Sequence, residues 1–168
     1  IIGGVKFYDR KEIKDMLAFM KYIVNPSDTI AFNRIVNFPA RGISKAVTEK
    51  ISAAMISESI DLPEILSNLD IIELSPKQIE KLNIFISTIS YIKQHINSSA
   101  FDIIELIIDK FKIRNHYISK DNPEDLERLE NIEELVSSIS DFCDRNVNNT
   151  TALFIEEVSL LTDIDRWN

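Results

Sequence analysis

Hydrophobic positions recur every three or four residues along most of the chain. This spacing is the period of a helix with one buried face, whereas strands alternate with a period of two. No alternation typical of a strand extends beyond the first eight residues. The pattern therefore predicts an all-α fold, a compact multi-helix domain. In the first long segment, the positions predicted to face inward are Ile13, Met16, Leu17, Met20, Ile23 and Val24.

Capping residues and prolines divide this pattern into helices. Ser75-Pro76-Lys77-Gln78 is the clearest start, because it combines an N-cap, a proline in the first turn and a glutamine at the third position. Asp9 with Glu12 fits a capping box in which Asp replaces Ser or Thr. We predict eight helices, with starts at Asp9, Asp28, Ser44, Asp61, Ser75, Ser99, Asn122 and either Thr150 or Thr151.

Composition narrows the class of protein. With 168 residues, 45% of them hydrophobic and 27% charged, the chain is long enough for one globular domain and too charged for a membrane span. Three glycines are too few for the many tight turns of an all-β fold. The single Cys143 excludes a disulfide framework and is typical of a reducing cytosol. Because the chain starts at Ile1, we expect a piece of a longer protein.

Charge is distributed unevenly along the chain. The net charge of −8 argues against extensive coating of nucleic acid. Residues 1–50, however, carry nine Lys/Arg against five Asp/Glu, whereas residues 51–168 carry ten against twenty-two. If the protein contacts an anionic polymer, the first third is predicted to do so. Ordinary fluctuation of charge along a chain is the alternative explanation.

The sequence offers little catalytic chemistry. His95 and His116 have no histidine or glutamate at metal-binding spacing, and Cys143 fits a small, partly buried helix residue. The chain contains no G-x-x-x-x-G-K-[ST], G-x-G-x-x-G or G-x-S-x-G motif. We therefore predict no catalytic residue and no metal ligand in this chain.

One glycine lies where an anion could bind. Gly42 stands between two predicted helices, in Pro39-Ala40-Arg41-Gly42-Ile43-Ser44-Lys45, within the basic third of the chain. A tight turn followed by a helix N-terminus presents free backbone N–H groups, and Arg41 and Lys45 add positive charge. Such a hairpin can hold a DNA phosphate without reading sequence. A helix–turn–helix corner that merely needs a glycine is the alternative.

Several segments resemble one family in the same order. Residues 3–15, GGVKFYDRKEIKD, resemble the G-G-x-x-F-x-x-R-x-E-I-K-D stretch of UvrD/Rep/PcrA-like superfamily-one DNA helicases. The resemblance continues through residues 25–28, 34–37 and 39–43, is weak in the middle of the chain, and returns at residues 130–135, ENIEEL, and 154–160, FIEEVSL.

The resemblance implies a place within a helicase. It corresponds to accessory subdomain 2B, inserted between motifs IV and V, with residues 1–8 as the junction to motor subdomain 2A, 9–162 as the helical subdomain and 163–168 as the return junction. The Walker motifs, and with them ATP and magnesium, would belong to the rest of such a protein, so this chain alone is expected to bind no cofactor. The family's 2B subdomain swivels and contacts duplex DNA through a helix-hairpin-helix.

Carried over residue by residue, the family's G-I-G hairpin turn becomes Gly42-Ile43-Ser44. The predicted DNA-binding residues are Arg41, Gly42, Ile43, Ser44 and Lys45. Ser44 replaces the second glycine, and its Cβ restricts close approach of a phosphate, although its hydroxyl can cap the next helix. We expect the contact to be weakened but retained.

Three more residues match the family's first motif. For Arg10, Glu12 and Asp15 we predict structural ion pairs near the junction between 2A and 2B, rather than contacts with DNA.

The function implied by the resemblance is that of a duplex-contacting, regulatory subdomain of a 3′–5′ DNA helicase of repair or replication. Its partners would be a fork or 3′-tailed junction, the motor subdomains of the same chain and a repair protein, with no membrane, in a bacterial cytoplasm at the nucleoid. The alternative is a protein-interaction or autoinhibitory module, which the acidic residues 51–168 favour.

Overall fold

The computed structural model describes the backbone of residues 4–167 and the side chains of residues 6–163. Gly3 of the family-like opening stretch lies outside the described residues, as do parts of the predicted junctions 1–8 and 163–168. Within the described residues all regular structure is helical, which confirms the all-α prediction. The α-helices are α1 Gly4–Tyr8, α2 Lys11–Val24, α3 Thr29–Ile35, α4 Lys45–Ser57, α5 Leu62–Ser67, α6 Pro76–Lys93, α7 Ala100–Lys110, α8 Ile113–Ile118, α9 Pro123–Arg145 and α10 Thr151–Trp167, with a 3₁₀ turn at Leu69–Ile71.

Most helix starts follow the predicted caps. The side chain of each N-cap satisfies a backbone N–H that the first turn leaves without a helical partner. In α6, the Gln78 amide donates to Ser75 Oγ at 3.2 Å and the Ser75 amide donates to Gln78 Oε1 at 2.8 Å, which completes the predicted capping box. Side-chain caps of the same kind are made by Asp28, Asp61, Ser99 and Asn122.

Two predicted caps are wrong. Helix α2 begins at Lys11 after Arg10, and its first turn has no side-chain cap. Asp9 therefore lies one residue too early, and Glu12 is buried and hydrogen-bonded to Asn131 instead. Ser44 does hold the N-cap position of α4, but its hydroxyl makes no capping hydrogen bond.

Short helices and helix ends were harder to predict. Helices α1 and α8 were not predicted, because five or six residues carry too little periodicity and neither has the kind of capping residue by which Asp61 marks the equally short α5. α8 follows Lys112, which adopts a left-handed conformation with φ 54°. Helix α6 ends at Lys93, before the predicted inward residue Ile96. Val24 is 36% exposed, contrary to its predicted inward position.

Helix α2 is the centre of the domain. Ten of its fourteen residues are buried, because α3, α6, α7, α9 and α10 pack around it. The aromatic part of the core joins Phe19 to Phe111 and Phe32 to Phe85, with ring centroids 4.8 and 5.9 Å apart. This packing brings α6 and the end of α7 beneath the loop between α3 and α4. No helix among the described residues is long and apolar enough to cross a membrane.

Candidate nucleic-acid interface

The loop between α3 and α4 is closed by one asparagine side chain. Asn37 Oδ1 accepts hydrogen bonds from the backbone N–H groups of Arg41, at 2.9 Å, and Ile43, at 3.0 Å. Two donors on one acceptor draw the chain into a tight loop that ends at the first turn of α4. We call residues 37–45 the Gly42 turn. Sequence reasoning missed Asn37, although an Asn after a helix is a common turn-forming residue.

Arg41 holds the turn together from the inside. Its Nη1 donates to the carbonyl oxygens of Ile35 and Val36, at 2.7 and 2.6 Å, and its Nη2 donates to that of Phe38 at 2.8 Å. These carbonyls lie at and just beyond the C-terminal end of α3. Ile35 O also accepts from the Phe38 N–H at 3.0 Å, whereas Arg41 is the one donor to Val36 O and Phe38 O among the described residues. The planar guanidinium suits this task because it presents several donors in a fixed fork.

The guanidinium of Arg41 also packs against two aromatic rings. It lies 5.3 Å from the centroid of Phe85, on α6, and 4.9 Å from that of Phe111, at the end of α7. Burial lowers the pKa of Arg41 to about 10, so the group stays charged at neutral pH. The structure therefore assigns Arg41 to the support of the turn. Its predicted contact with a DNA phosphate stays a prediction, and its Nη1 and Nη2 face three carbonyls.

The remaining predicted residues divide into one buried and three exposed. Ile43 is 2% exposed and anchors the turn in the core, so its side chain faces away from any ligand. Gly42, Ser44 and Lys45 are exposed. Within the described part of the chain, no protein acceptor takes the amide hydrogens of Gly42, Ser44, Lys45 or Ala46.

The two ends of the family-like G-I-G motif have different backbone requirements. Gly42 has φ +78°, a left-handed conformation that favours glycine. Ser44 has φ −79° and ψ 163°, an extended conformation that any residue adopts. Ser44 therefore fits the backbone without strain, and the glycine that it replaces is not needed for the turn to form.

A second element reaches the Gly42 turn from far along the chain. A Cβ added to Gly42 would lie 2.5 Å from Nζ and 3.0 Å from Cδ and Cε of Lys81, on α6. The end of this lysine therefore lies directly against the glycine. Sequence reasoning missed Lys81, because only the packing of α6 under the turn brings the two residues together. Beside the turn, a groove of about 550 Å³ lies between α3 and α4.

The residues of the first family-like motif form buried polar contacts. Arg10 donates to Asn131 Oδ1 at 2.7 Å, and Asn131 Nδ2 donates to Glu12 Oε2 at 2.7 Å. Asn131 therefore connects the first family-like segment to the segment at residues 130–135. This arrangement corrects the predicted ion pairs of Arg10 and Glu12, since each is joined to the amide of Asn131.

Asp15 makes the predicted ion pair. Its carboxylate, 4% exposed, accepts from Lys11 at 2.6 Å and from Arg34 at 2.8 Å. Lys11 Nζ in turn lies 4.7 Å from the ring centroid of Phe38, in the Gly42 turn. The pair therefore ties the start of α2 to α3 and to the turn.

A histidine packs against the same phenylalanine. His116, on α8, meets the Phe38 ring edge-on with centroids 5.1 Å apart. Burial lowers the pKa of His116 below its ordinary value, and the positive charges of Lys120 and Lys11 lower it further. Asp125 and Asp15 act in the opposite direction with smaller effect. His116 therefore favours its neutral form beside the turn.

The other candidate reactive residues lie apart from this site. His95 Nδ1 is 3.2 Å from the carbonyl oxygen of Tyr91, and Cys143 is half-buried, with Sγ 3.9 Å from the carbonyl oxygen of Asn149. Across the described residues, no group of three or more His, Cys, Asp and Glu side chains could hold a metal ion.

Known proteins are similar to this chain over almost its full length. A family model described as the UvrD-like helicase C-terminal domain matches residues 1–167. The protein named ATP-dependent DNA helicase PcrA from Bacillus subtilis is 34% identical over 169 residues, which is 99% of this chain and 23% of that protein. Proteins of the same name from Staphylococcus epidermidis and Staphylococcus aureus are 33% identical over 168 residues, again 98% of this chain and 23% of each. The chain thus spans about a quarter of the length of these relatives.

Proposed function

Because this chain belongs to the UvrD-like helicase C-terminal domain family, we propose that it is the helical accessory subdomain 2B of an ATP-dependent DNA helicase. In this proposal the subdomain contacts duplex DNA ahead of a fork or 3′-tailed junction and regulates unwinding by the motor subdomains. Its setting would be bacterial DNA repair or replication, in the cytoplasm at the nucleoid.

One observation carries the proposed DNA contact: the exposed backbone amides of Gly42, Ser44, Lys45 and Ala46, in the Gly42 turn and the start of α4, have no acceptor among the residues that the structure describes. Two belong to Ser44 and Gly42, and two to the first residues of α4, whose N-terminus attracts negative charge. A phosphate oxygen is the acceptor that such a group of donors suits. Lys45 is exposed beside them and adds a full positive charge.

This chemistry makes the contact weak and independent of sequence. Backbone amides hold a phosphate but cannot distinguish bases. One or two phosphate contacts give a shallow dependence on salt, a slope of about −0.9 in log K per phosphate. With a net charge of −8, the chain alone should bind DNA with a Kd of about 10⁻⁴ M or weaker. Stable engagement would come from the motor subdomains, which hold the same DNA.

Nucleotide chemistry is proposed to belong to the rest of the longer helicase. The relatives are named ATP-dependent, and this chain corresponds to about a quarter of their length. The residues of this chain do not fit a nucleotide site, since its three glycines form no phosphate-binding loop motif. We therefore assign ATP and magnesium to the motor subdomains and no step of hydrolysis to this chain.

The test is an NMR titration of the isotope-labelled chain with a short 3′-tailed duplex at low salt. We expect amide shifts concentrated at residues 42–46. Shifts that avoid these residues, or that spread over the acidic helices, would contradict the proposed contact. A Kd below about 10⁻⁶ M would contradict the weak, one- or two-phosphate mode of binding.

A protein-interaction or autoinhibitory module is the second candidate function. It is favoured by the outer face of α9, where Glu130 and Glu134 are exposed and, in the part of the chain that the structure describes, have no cation at ion-pair distance. Leu126 and Leu129 lie beside them in a groove of about 580 Å³. A basic, partly apolar surface of the motor core or of another protein would fit this face.

A further inference from the structure

The position of Lys81 has a consequence for the Gly42 turn. The aliphatic end of this side chain and its ammonium lie against the glycine, at the distances given above. Close approach is possible only because Gly42 has no Cβ. Because Gly42 has no side chain, the turn can adopt its left-handed backbone. For the same reason Lys81, 39 residues further along the chain, can pack directly against it.

Lys81 also has its charge available. Among the residues that the structure describes, no carboxylate lies at ion-pair distance from its ammonium. Its side chain is half-buried, and its end, from Cδ to the ammonium, lies against the exposed Gly42. One helical turn further along α6, Phe85 packs on the guanidinium of Arg41. Helix α6 thus contacts the turn at two points, an aromatic ring inside and a cation outside.

We propose that Lys81 supplies the cation that binds a DNA phosphate at the Gly42 turn, in place of Arg41. This proposal rests on the proposed function, because it assigns a further residue to the same contact. Arg41 donates to three carbonyls and supports the turn. Lys81 lies beside Gly42 and, in the part of the chain that the structure describes, has no acidic partner. A phosphate that accepts a hydrogen bond from the amide of Gly42 would also lie close to the ammonium of Lys81.

The packing of Lys81 against the turn should strengthen its binding to a phosphate. A free surface lysine loses side-chain entropy when it is fixed on a phosphate. The stem of Lys81 already rests against the turn, so less freedom remains to be lost. Lys45, whose side chain is exposed, lacks this support. We therefore expect Lys81 to contribute more to binding than Lys45.

The experiment measures duplex binding by the chain, followed by NMR at several salt concentrations between about 50 and 200 mM. Lys81→Met keeps the length of the stem and removes the charge, Lys81→Arg keeps the charge, and Lys93→Met is the matched control on the same helix, about 18 Å away. We expect Lys81→Met to raise Kd about fivefold at low salt and to reduce the salt slope by about 0.9, the value for one phosphate. Lys81→Arg should restore both, and Lys93→Met should change neither.

A spectroscopic readout tests the contact directly. With lysine labelled at Cε, the signal that Lys81→Arg removes should shift on addition of duplex. If the amides of residues 42–46 shift but Lys81→Met binds like the unchanged chain, or Lys93→Met weakens binding equally, the role of Lys81 is overturned and the proposed function stands. If those amides do not shift at all, the proposed function fails, and the role of Lys81 fails with it.

Discussion

The Gly42 turn and the outer surface of α8 and α9 both carry arginines, but the two regions use them differently. In the turn, Arg41 is surrounded by carbonyl oxygens and aromatic rings and meets no carboxylate among the described residues. On α8, Arg114 bonds to Glu133 at 3.0 Å and lies 3.6 Å from Glu105. The first arginine keeps its positive charge within the fold, whereas the second is neutralised at the surface.

The contrast shows that a cationic side chain can bind an anion only if no other group of the protein already occupies its donors. The position of the residue in the sequence matters less. Residues 51–168 are strongly acidic, yet Lys81 from that part lies at the basic turn and has no carboxylate at ion-pair distance within residues 6–163. Arg41, from the basic part, is turned inward. The charge balance along the sequence therefore indicates neither that Arg41 faces inward nor that Lys81 reaches the turn.

The largest expected loss of stability comes from replacing Arg41, which supports the turn. Arg41→Ala removes three hydrogen bonds from a charged donor and leaves the carbonyls of Val36 and Phe38 without a partner among the described residues, which should lower the free energy of unfolding by about 3 kcal/mol. Arg41→Lys should rescue little, because a single ammonium cannot replace the planar fork. Urea unfolding followed by circular dichroism measures both.

The matched control is Arg114→Ala, which removes an exposed ion pair. It should cost no more than about 0.5 kcal/mol, since surface pairs contribute little to stability. Equal losses at Arg41 and Arg114 would contradict the division of roles between the two regions.

A smaller loss is expected at Gly42. Gly42→Ala places a Cβ on a backbone with φ +78° and against Lys81, so it should destabilise the chain by about 1–2 kcal/mol and displace the lysine. Ser44→Ala is the control within the same turn. Its hydroxyl makes no capping bond, so it should change stability by only a few tenths of a kcal/mol, less than a usual N-cap. Thermal unfolding measures the loss of stability in both variants. A larger loss for Ser44→Ala than for Gly42→Ala would contradict this prediction.

Charge reversal separates the two candidate functions. In the longer helicase proposed for this chain, Lys45→Glu should reduce unwinding of a 3′-tailed duplex about fivefold, because it places a negative charge beside the proposed phosphate contact, while DNA-independent ATPase stays unchanged. Glu134→Lys, an exposed reversal on α9, should leave unwinding unchanged if duplex contact dominates. A stronger effect at Glu134 than at Lys45 would favour the protein-interaction module.

The smallest effect is a dependence on pH through His116. Its pKa is lowered in the folded chain, so between that value and 6.5 the unfolded state binds more protons. Stability is therefore fully present above the ordinary pKa and declines as pH falls below it. His116→Gln should reduce the loss of stability between about pH 7.5 and pH 5.5. Urea midpoints across this range provide the measurement, and an unchanged slope in the variant would exclude His116 as the cause.

Much of the fold was predictable from local pattern. The long helices and the caps at Ser75, Ser99 and Asn122 followed from spacing and hydrogen-bonding chemistry within a few residues. The helices α1 and α8 were missed because each is too short to show a period. Glu12 was misassigned as a cap because its partner, Asn131, lies 119 residues away.

The sequence by itself determined the helical class, the position of the turn at Gly42 and the family. These depend on periodicity, on residues with special backbone preferences and on ordered motifs, all of which are local or linear properties. Only the tertiary structure decided that Arg41 points inward, that Lys81 lies on Gly42 and that Asn131 joins Arg10 to Glu12. The physical reason is that the direction of a long polar side chain depends on which acceptors and rings the packing of distant helices places within its reach.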